Sequence, residues 1–143
     1  MIRVIISGSR NFCDNDLFDN SLCNILSGVD PNNLEIISGG CTGADAMAED
    51  YAERFGLKFT EFPAYWTKYG RAAGPMRNEQ MAKYASDADR GMLIAFPIGE
   101  SRGTRNMIKL AKQYGLEVNY DETLLYMGND ESFPFKFTID DTK

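Results

Sequence analysis

Apolar positions along the chain follow two alternating periods. Val4-Ile5-Ile6 and Met92-Leu93-Ile94-Ala95-Phe96 are unbroken apolar runs, as expected of strands covered on both faces. Leu34-Ile36-Ile37 is a shorter run of the same kind. Leu57, Phe59 and Phe62 alternate only in part, and Leu116, Val118 and Tyr120 alternate cleanly, as an edge strand does. Between these runs the spacing turns helical. Phe18, Leu22, Ile25 and Leu26 share one face of a helix that Asp14 or Asn15 can cap and that runs to about Ser27. Ala44, Met47, Ala48, Tyr51, Ala52 and Phe55 share another, ended by Gly56. Pro75 is placed to open a third helix carrying Arg77, Asn78, Glu79 and Met81. Met107, Ile108, Ala111 and Tyr114 line a fourth, stopped by Gly115.

Alternating strands and helices predict an α/β fold: a single Rossmann-like domain over residues 1–120 with helices on both faces of a parallel sheet. The unbroken runs belong at the centre and the alternating one at an edge, which predicts the strand order 3-2-1-4-5. Ligands of such sheets bind beyond the carboxyl ends of the strands, where strands one and four part company. Residues 121–143 form a separate extension. Thr123 to Met127 and the run Phe133, Phe135, Phe137, Ile139, joined by a Gly128-Asn129-Asp130 turn, suit a hairpin. It would extend the sheet, cover a helix or make a dimer contact, with Pro134 keeping its strand at an edge.

Ser38-Gly39-Gly40-Cys41-Thr42-Gly43-Ala44-Asp45 joins the second strand to its helix. Glycines there let backbone come close to a ligand, and the first N–H groups of the helix carry the positive end of its dipole. Such a corner binds phosphate or carboxylate. It also serves as a tight turn with no ligand, because the spacing is neither the dinucleotide fingerprint nor a phosphate loop with its lysine.

Composition narrows the chemistry. With 143 residues, 43% hydrophobic and 25% charged, the chain suits one globular domain. It has no apolar run long enough for a membrane span and no signal-peptide pattern, so a cytoplasmic location is expected. It has no histidine, which removes Ser-His-Asp and Cys-His nucleophile pairs and imidazole metal sites. Cys13, Cys23 and Cys41 show no paired spacing, and Cys41 reads as a small packing residue. No metal and no cofactor are expected. The net charge of −6 argues against a general nucleic-acid binder. The charge is unevenly spread, however. The four loops after the strands hold Arg10, Lys68, Arg71, Arg77, Arg102 and Arg105 against Asp45, Glu79 and Glu100, a net +3, while the remainder of the chain carries −9. Arginine forks fit phosphate. Tyr65, Trp66 and Tyr69 either stack on a base or pin down the loop that carries them.

These residues together carry a family resemblance. Gly8-Ser9-Arg10-x-Phe12 is followed by Ser38-Gly39-Gly40-x-x-Gly43-Ala44-Asp45-x-x-Ala48-Glu49-x-x-Ala52. Then come Pro63-Ala64-x-Trp66-x-x-Tyr69-Gly70-x-Ala72-Ala73-Gly74-Pro75-x-Arg77-Asn78-x-x-Met81, Phe96-Pro97 and Ser101-Arg102-Gly103-Thr104-x-x-Met107. In this colinear order, over about residues 1–120, they closely resemble the YspA/YpsA-related branch of the SLOG superfamily. The resemblance implies a Rossmann-like nucleotide-binding domain. Its LOG-type relatives are phosphoribohydrolases that cut the N-glycosidic bond of nucleoside monophosphates, others sense NAD- or ADP-ribose-derived signals, and the DprA group binds single-stranded DNA. LOG-like relatives usually pair, so a homodimer is expected.

The resemblance maps a LOG arginine onto Arg77 and the LOG Gly-Gly-x-Gly-Thr-x-Glu loop onto residues 100–106, where Asn106 stands in the place of the catalytic glutamate. An amide neither stabilises an oxocarbenium-like charge nor activates water well. The expected function is therefore binding of an AMP-, ADP-ribose- or NAD-like ligand for sensing or sequestration, with nucleic acid and membrane disfavoured as partners. The alternatives are a phosphoribohydrolase, using Arg77 with Glu79, Glu100 or Asp45, and single-strand DNA binding. The expected ligand residues are Gly8, Ser9, Arg10, Gly39, Gly40, Thr42, Gly43, Asp45, Trp66, Arg77, Asn78, Arg102, Gly103, Thr104 and Asn106. Asp45 has an equal claim as a first-turn carboxylate steadying its own helix, and Glu79 as the partner of a neighbouring arginine.

Overall fold

A computed structural model describes residues 1–99 and 101–121. In chain order the elements are β1 (Ile2–Gly8), α1 (Asn15–Ile25), β2 (Leu34–Ser38), α2 (Ala44–Phe55), β3 (Lys58–Glu61), α3 (Trp66–Tyr69), α4 (Ala73–Ser86), β4 (Arg90–Phe96), α5 (Arg102–Gln113) and β5 (Glu117–Tyr120). The five strands form one parallel sheet in the order β3-β2-β1-β4-β5. This is the expected Rossmann-like α/β architecture. The extension at 121–143, apart from Asp121, lies outside the described residues, as does Glu100.

The two-residue period of the strands divides the core. Val4, Ile6, Ile36, Met92, Ile94 and Phe96 face one side, against Phe18 and Leu22 of α1 and Ala48, Tyr51 and Ala52 of α2. Ile5, Ile37, Leu93 and Ala95 face the other, against Met81, Ala82 and Ala85 of α4 and Met107 and Ala111 of α5. Each large side chain so buried contributes roughly 1.5–3 kcal/mol. An unbroken apolar strand is thus the sum of two alternating half-patterns, one for each helix layer.

Local signals set the helix ends. The Asp14 carboxylate accepts from Leu17 N–H at 3.0 Å and caps α1. Gly56 closes α2 in the left-handed region, φ +66°. Two features differ from the pattern-based expectation. The helix carrying Arg77 begins at Ala73, so Pro75 is its third residue rather than its first. That position still tolerates proline, because its N–H would have no intrahelical partner. The loop ahead of it contains a single helical turn, Trp66–Tyr69, too short for any periodicity to reveal.

One end of the sheet carries a polar cluster. Glu35 on β2 is fully buried and lies in register between Arg3 of β1 and Lys58 of β3. Its carboxylate accepts from Arg3 Nε (3.2 Å), Thr60 Oγ1 (2.6 Å) and the Tyr84 hydroxyl (2.6 Å), with Lys58 Nζ at 3.7 Å. The Arg3 guanidinium also stacks 3.7 Å from the Tyr84 ring centroid. Burial alone would push the Glu35 carboxyl up. The hydroxyls of Thr60 and Tyr84, and the charges of Lys58 and Arg3, outweigh it and hold the group below the ordinary carboxylate range.

Candidate functional site

The loops beyond the carboxyl ends of β1, β2 and β4 converge with the start of α4 around a cleft of about 740 Å³. Two helices begin beside it, α2 after Gly43 and α5 after Ser101, and neither start has a side-chain cap. Their first N–H groups are therefore left for another acceptor. Of the expected ligand residues, Gly8, Ser9, Arg10, Asp45, Trp66, Arg77, Asn78, Arg102, Gly103, Thr104 and Asn106 line the cleft. Among the described lining residues there are four arginines, Arg10, Arg71, Arg77 and Arg102, and one carboxylate, Asp45.

Arg77 is the organising side chain. It is 9% exposed and rises from α4 to donate NH1 to the Gly39 carbonyl (2.8 Å) and Nε to Asn78 Oδ1 (3.0 Å). It makes no ion pair within 4.0 Å among the described residues. Asn78 continues the chain of contacts. Its Nδ2 donates to the Gly103 carbonyl (3.2 Å) and to Asn106 Oδ1 (2.9 Å), tying α4 to the first turns of α5. Asn106 thus serves as the acceptor that orients Asn78.

Ser9 joins the first loop to the last. Its hydroxyl accepts from Ile98 N–H at 2.7 Å and lies 2.9 Å from Ser101 Oγ. Ser101 has φ +22°, the one positive value among the described residues other than glycine. That turn brings the start of α5 against the β1 loop.

Asp45 projects from the first turn of α2 and is 7% exposed. Its Oδ2 accepts from Cys41 N–H at 3.2 Å, so it steadies the glycine loop as well as lining the cleft. Burial pushes its carboxyl above the ordinary range. The Cys41 N–H, the Arg77 charge, the Gly39 N–H and the Arg10 charge pull the other way without cancelling the effect.

The glycine loop is shaped largely by the protein itself. A Cβ on Gly39 would strike the Arg77 guanidinium, and one on Gly40 the Glu61 carboxylate. A Cβ on Gly43 would strike the carbonyl oxygens of Ser9 and Arg10. Gly40 and Gly43 also take φ +77° and +71°, which side chains disfavour. Thr42 Oγ1 donates to the Arg10 carbonyl at 3.2 Å. Gly39, Gly40, Thr42 and Gly43 are not among the lining residues; they fix the loop from which Cys41 and Asp45 reach the cleft.

Glu79 is likewise not a lining residue. It lies two positions after Arg77, about 200° around the helix, and accepts from the Tyr114 hydroxyl at 2.9 Å on the exposed side. The neighbour is a tyrosine rather than the arginine suggested by the charge pattern. Trp66 is 46% exposed, lines the cleft, and rests its ring on Gly74, where a Cβ would stand 3.1 Å from the indole. Trp66 thus packs against the start of α4, as the loop-pinning reading expected, and its exposed part faces the cleft.

The expected ligand set lacked eight of the lining residues, among them Ser101, Arg71 and Cys41. Arg71 was visible in the charge count of the rim. Ser101 was visible only in the Ser-Arg-Gly-Thr motif.

Comparison with known proteins bears on the family and the fold. A family model described as YAcAr, the YspA, cpYpsA-related SLOG family, matches residues 2–69. The chain is 33% identical over 123 residues to the Gene 61 protein of Mycobacterium phage D29, covering 82% of this chain and 94% of that protein. The solved structure of DNA processing protein A (DprA) from Streptococcus pneumoniae superposes with a TM-score of 0.65 at 18% identity, over 97% of this chain. The chain spans 56% of the length of that protein, and the likeness is one of fold. No helix among the described residues is long and apolar enough to cross a membrane.

Proposed function

The chain belongs to the YspA, cpYpsA-related SLOG family, and from that premise we propose that its rim cleft binds a nucleotide or nucleotide-derived ligand as a sensing or sequestering module. One observation carries this reading. Arg77 is a buried guanidinium whose hydrogen-bond partners, Gly39 and Asn78, are both neutral. A buried guanidinium that forms no ion pair among the described residues, with the Asp45 charge acting on it from beyond salt-bridge distance, is costly, and an anionic ligand relieves that cost.

The surroundings favour the same class of ligand. Arg10, Arg71 and Arg102 add positive charge, and the uncapped starts of α2 and α5 add N–H donors. Trp66 offers an exposed aromatic face for a base. The cleft volume lies within the range of small-molecule sites. The carboxylates favour binding without turnover. The resemblance puts Asn106 where LOG-type enzymes carry their glutamate, and Glu79 is bonded to Tyr114 away from the cleft.

A second reading, hydrolysis of an N-glycosidic bond, has Asp45 in its favour. A buried carboxyl with a raised pKa in the cleft is suited to general acid–base work. Single-strand DNA binding draws on the fold likeness to DNA processing protein A and is opposed by the net charge of −6.

Thermal shift against AMP, ADP, ADP-ribose, NAD and an oligothymidylate, followed by chromatography of each incubated ligand, separates the three. A ligand that binds only the folded state raises the unfolding temperature. The expected result is a shift with at least one mononucleotide or dinucleotide and recovery of that ligand intact. Release of free base and ribose phosphate would establish the hydrolase instead. A shift with the oligonucleotide alone would establish the third reading, and no shift with any of the five would overturn the nucleotide assignment.

A further inference from the structure

The cleft has a marked chemical asymmetry: its described lining holds four arginines and a single carboxylate. A phosphate group is drawn to the arginines and repelled by Asp45. The part of the ligand that meets Asp45 must therefore carry no negative charge and must offer hydrogen-bond donors. Three other side-chain acceptors of the lining already have a donor inside the protein. Asn78 Oδ1 accepts from Arg77, Asn106 Oδ1 accepts from Asn78, and Ser9 Oγ accepts from Ile98 N–H. Asp45 retains capacity. An ionised carboxylate has about four acceptor positions, and the loop takes one of them through the Cys41 N–H at 3.2 Å.

A nucleotide carries the matching groups in one piece, an anionic phosphate beside a ring with vicinal hydroxyls. A carboxylate accepts from two neighbouring hydroxyls at once, and these charge-assisted bonds are about twice as strong as neutral ones. On the basis of the nucleotide assignment above, we propose that Asp45 reads the ribose hydroxyls, so that the cleft selects ribonucleotides over deoxyribonucleotides. The buried setting makes the discrimination sharp. A ligand lacking the hydroxyl leaves the carboxylate short of a donor away from bulk water, and sites built to bond a hydroxyl reject analogues without it.

The test is calorimetry of the full chain with AMP and ADP, each compared with its 2′-deoxy form, for the parent protein and Asp45→Asn. In the variant the amide oxygen must turn to the Cys41 N–H, which presents the amide NH2 to the ligand. The parent is expected to prefer the ribo form about tenfold or more, and D45N to bring the two forms within about twofold of each other. Equal affinities in the parent overturn the proposal while leaving the nucleotide assignment standing, and so does a ribo preference that survives in D45N. If D45N does not fold, Asp45→Glu, which displaces the carboxylate by one methylene, is expected to lose most of the preference, and an undiminished preference in it overturns the proposal. Failure of all four compounds to bind overturns the nucleotide assignment itself, and the proposal with it.

Discussion

Glu35 and Asp45 belong to the same strand–helix unit, both are buried carboxylates, and their surroundings push them in opposite directions. Glu35 sits at one end of the sheet with Arg3, Lys58, Thr60 and Tyr84 all directed at it, and its charge is met inside the protein. Asp45 sits at the other end, where neither it nor Arg77 forms an ion pair among the described residues. The amino end of the sheet completes its own electrostatics; the carboxyl rim holds charges of both signs apart. A satisfied cluster has no work left for a ligand to do. An unsatisfied one is maintained at a cost in stability that binding can recover.

The contrast can be broken experimentally. Its largest expected effect is on stability at the satisfied end. Glu35→Ala strands the Arg3 charge and the Thr60 and Tyr84 hydroxyls, and should cost roughly 3 kcal/mol, read from urea unfolding. A loss below about 0.5 kcal/mol would mean that the cluster is ornamental.

The next effect is on binding at the rim. Arg77→Met removes the buried cation and should weaken AMP or ADP binding at least tenfold, by about 1.4 kcal/mol or more, while lowering stability less than Glu35→Ala does. If R77M unfolds as readily as E35A and binds as well as the parent, the two ends have been assigned the wrong way round.

The smallest effect sharpens the comparison through pH. The raised Asp45 carboxyl holds its proton more tightly in the folded chain than in the unfolded one. Its contribution is therefore fullest below about pH 4 and is lost as the pH rises through the raised value. The lowered Glu35 carboxyl does the reverse: its contribution is present above about pH 4.3 and is lost as the pH falls through the folded value. Asp45→Asn should accordingly match or exceed the parent in unfolding temperature at pH 7, with the margin closing toward pH 4. Glu35→Gln should flatten the acid-side decline. Parallel pH–stability curves for parent and both variants would refute the opposed shifts.

Much of this molecule was legible in one dimension. Burial on two faces leaves an unbroken apolar run and burial on one face leaves an alternating run, so the strand order follows from Val4-Ile5-Ile6, Met92 to Phe96 and Leu116-Val118-Tyr120. A parallel sheet puts every strand-to-helix loop on one rim, which is why charge counting over the loops located the arginines that line the cleft. Arg3 and Glu35, charged positions beside apolar ones in the strands, were the available hint of the cluster at the other end.

What the sequence could not express was direction and proximity between distant residues. Glu79 follows Arg77 by two positions and turns to Tyr114 instead of the cleft, because a helix sends such neighbours to opposite sides. Gly39, Gly40 and Gly43 have the spacing of a ligand loop, yet the atoms that demand their missing side chains come from Arg77, Glu61, Ser9 and Arg10. Periodicity records which face of an element is buried. It carries no record of which other element arrives there, so only the folded chain decided that Arg77 stands buried without an ion pair among the described residues and that Asp45 shares its cleft.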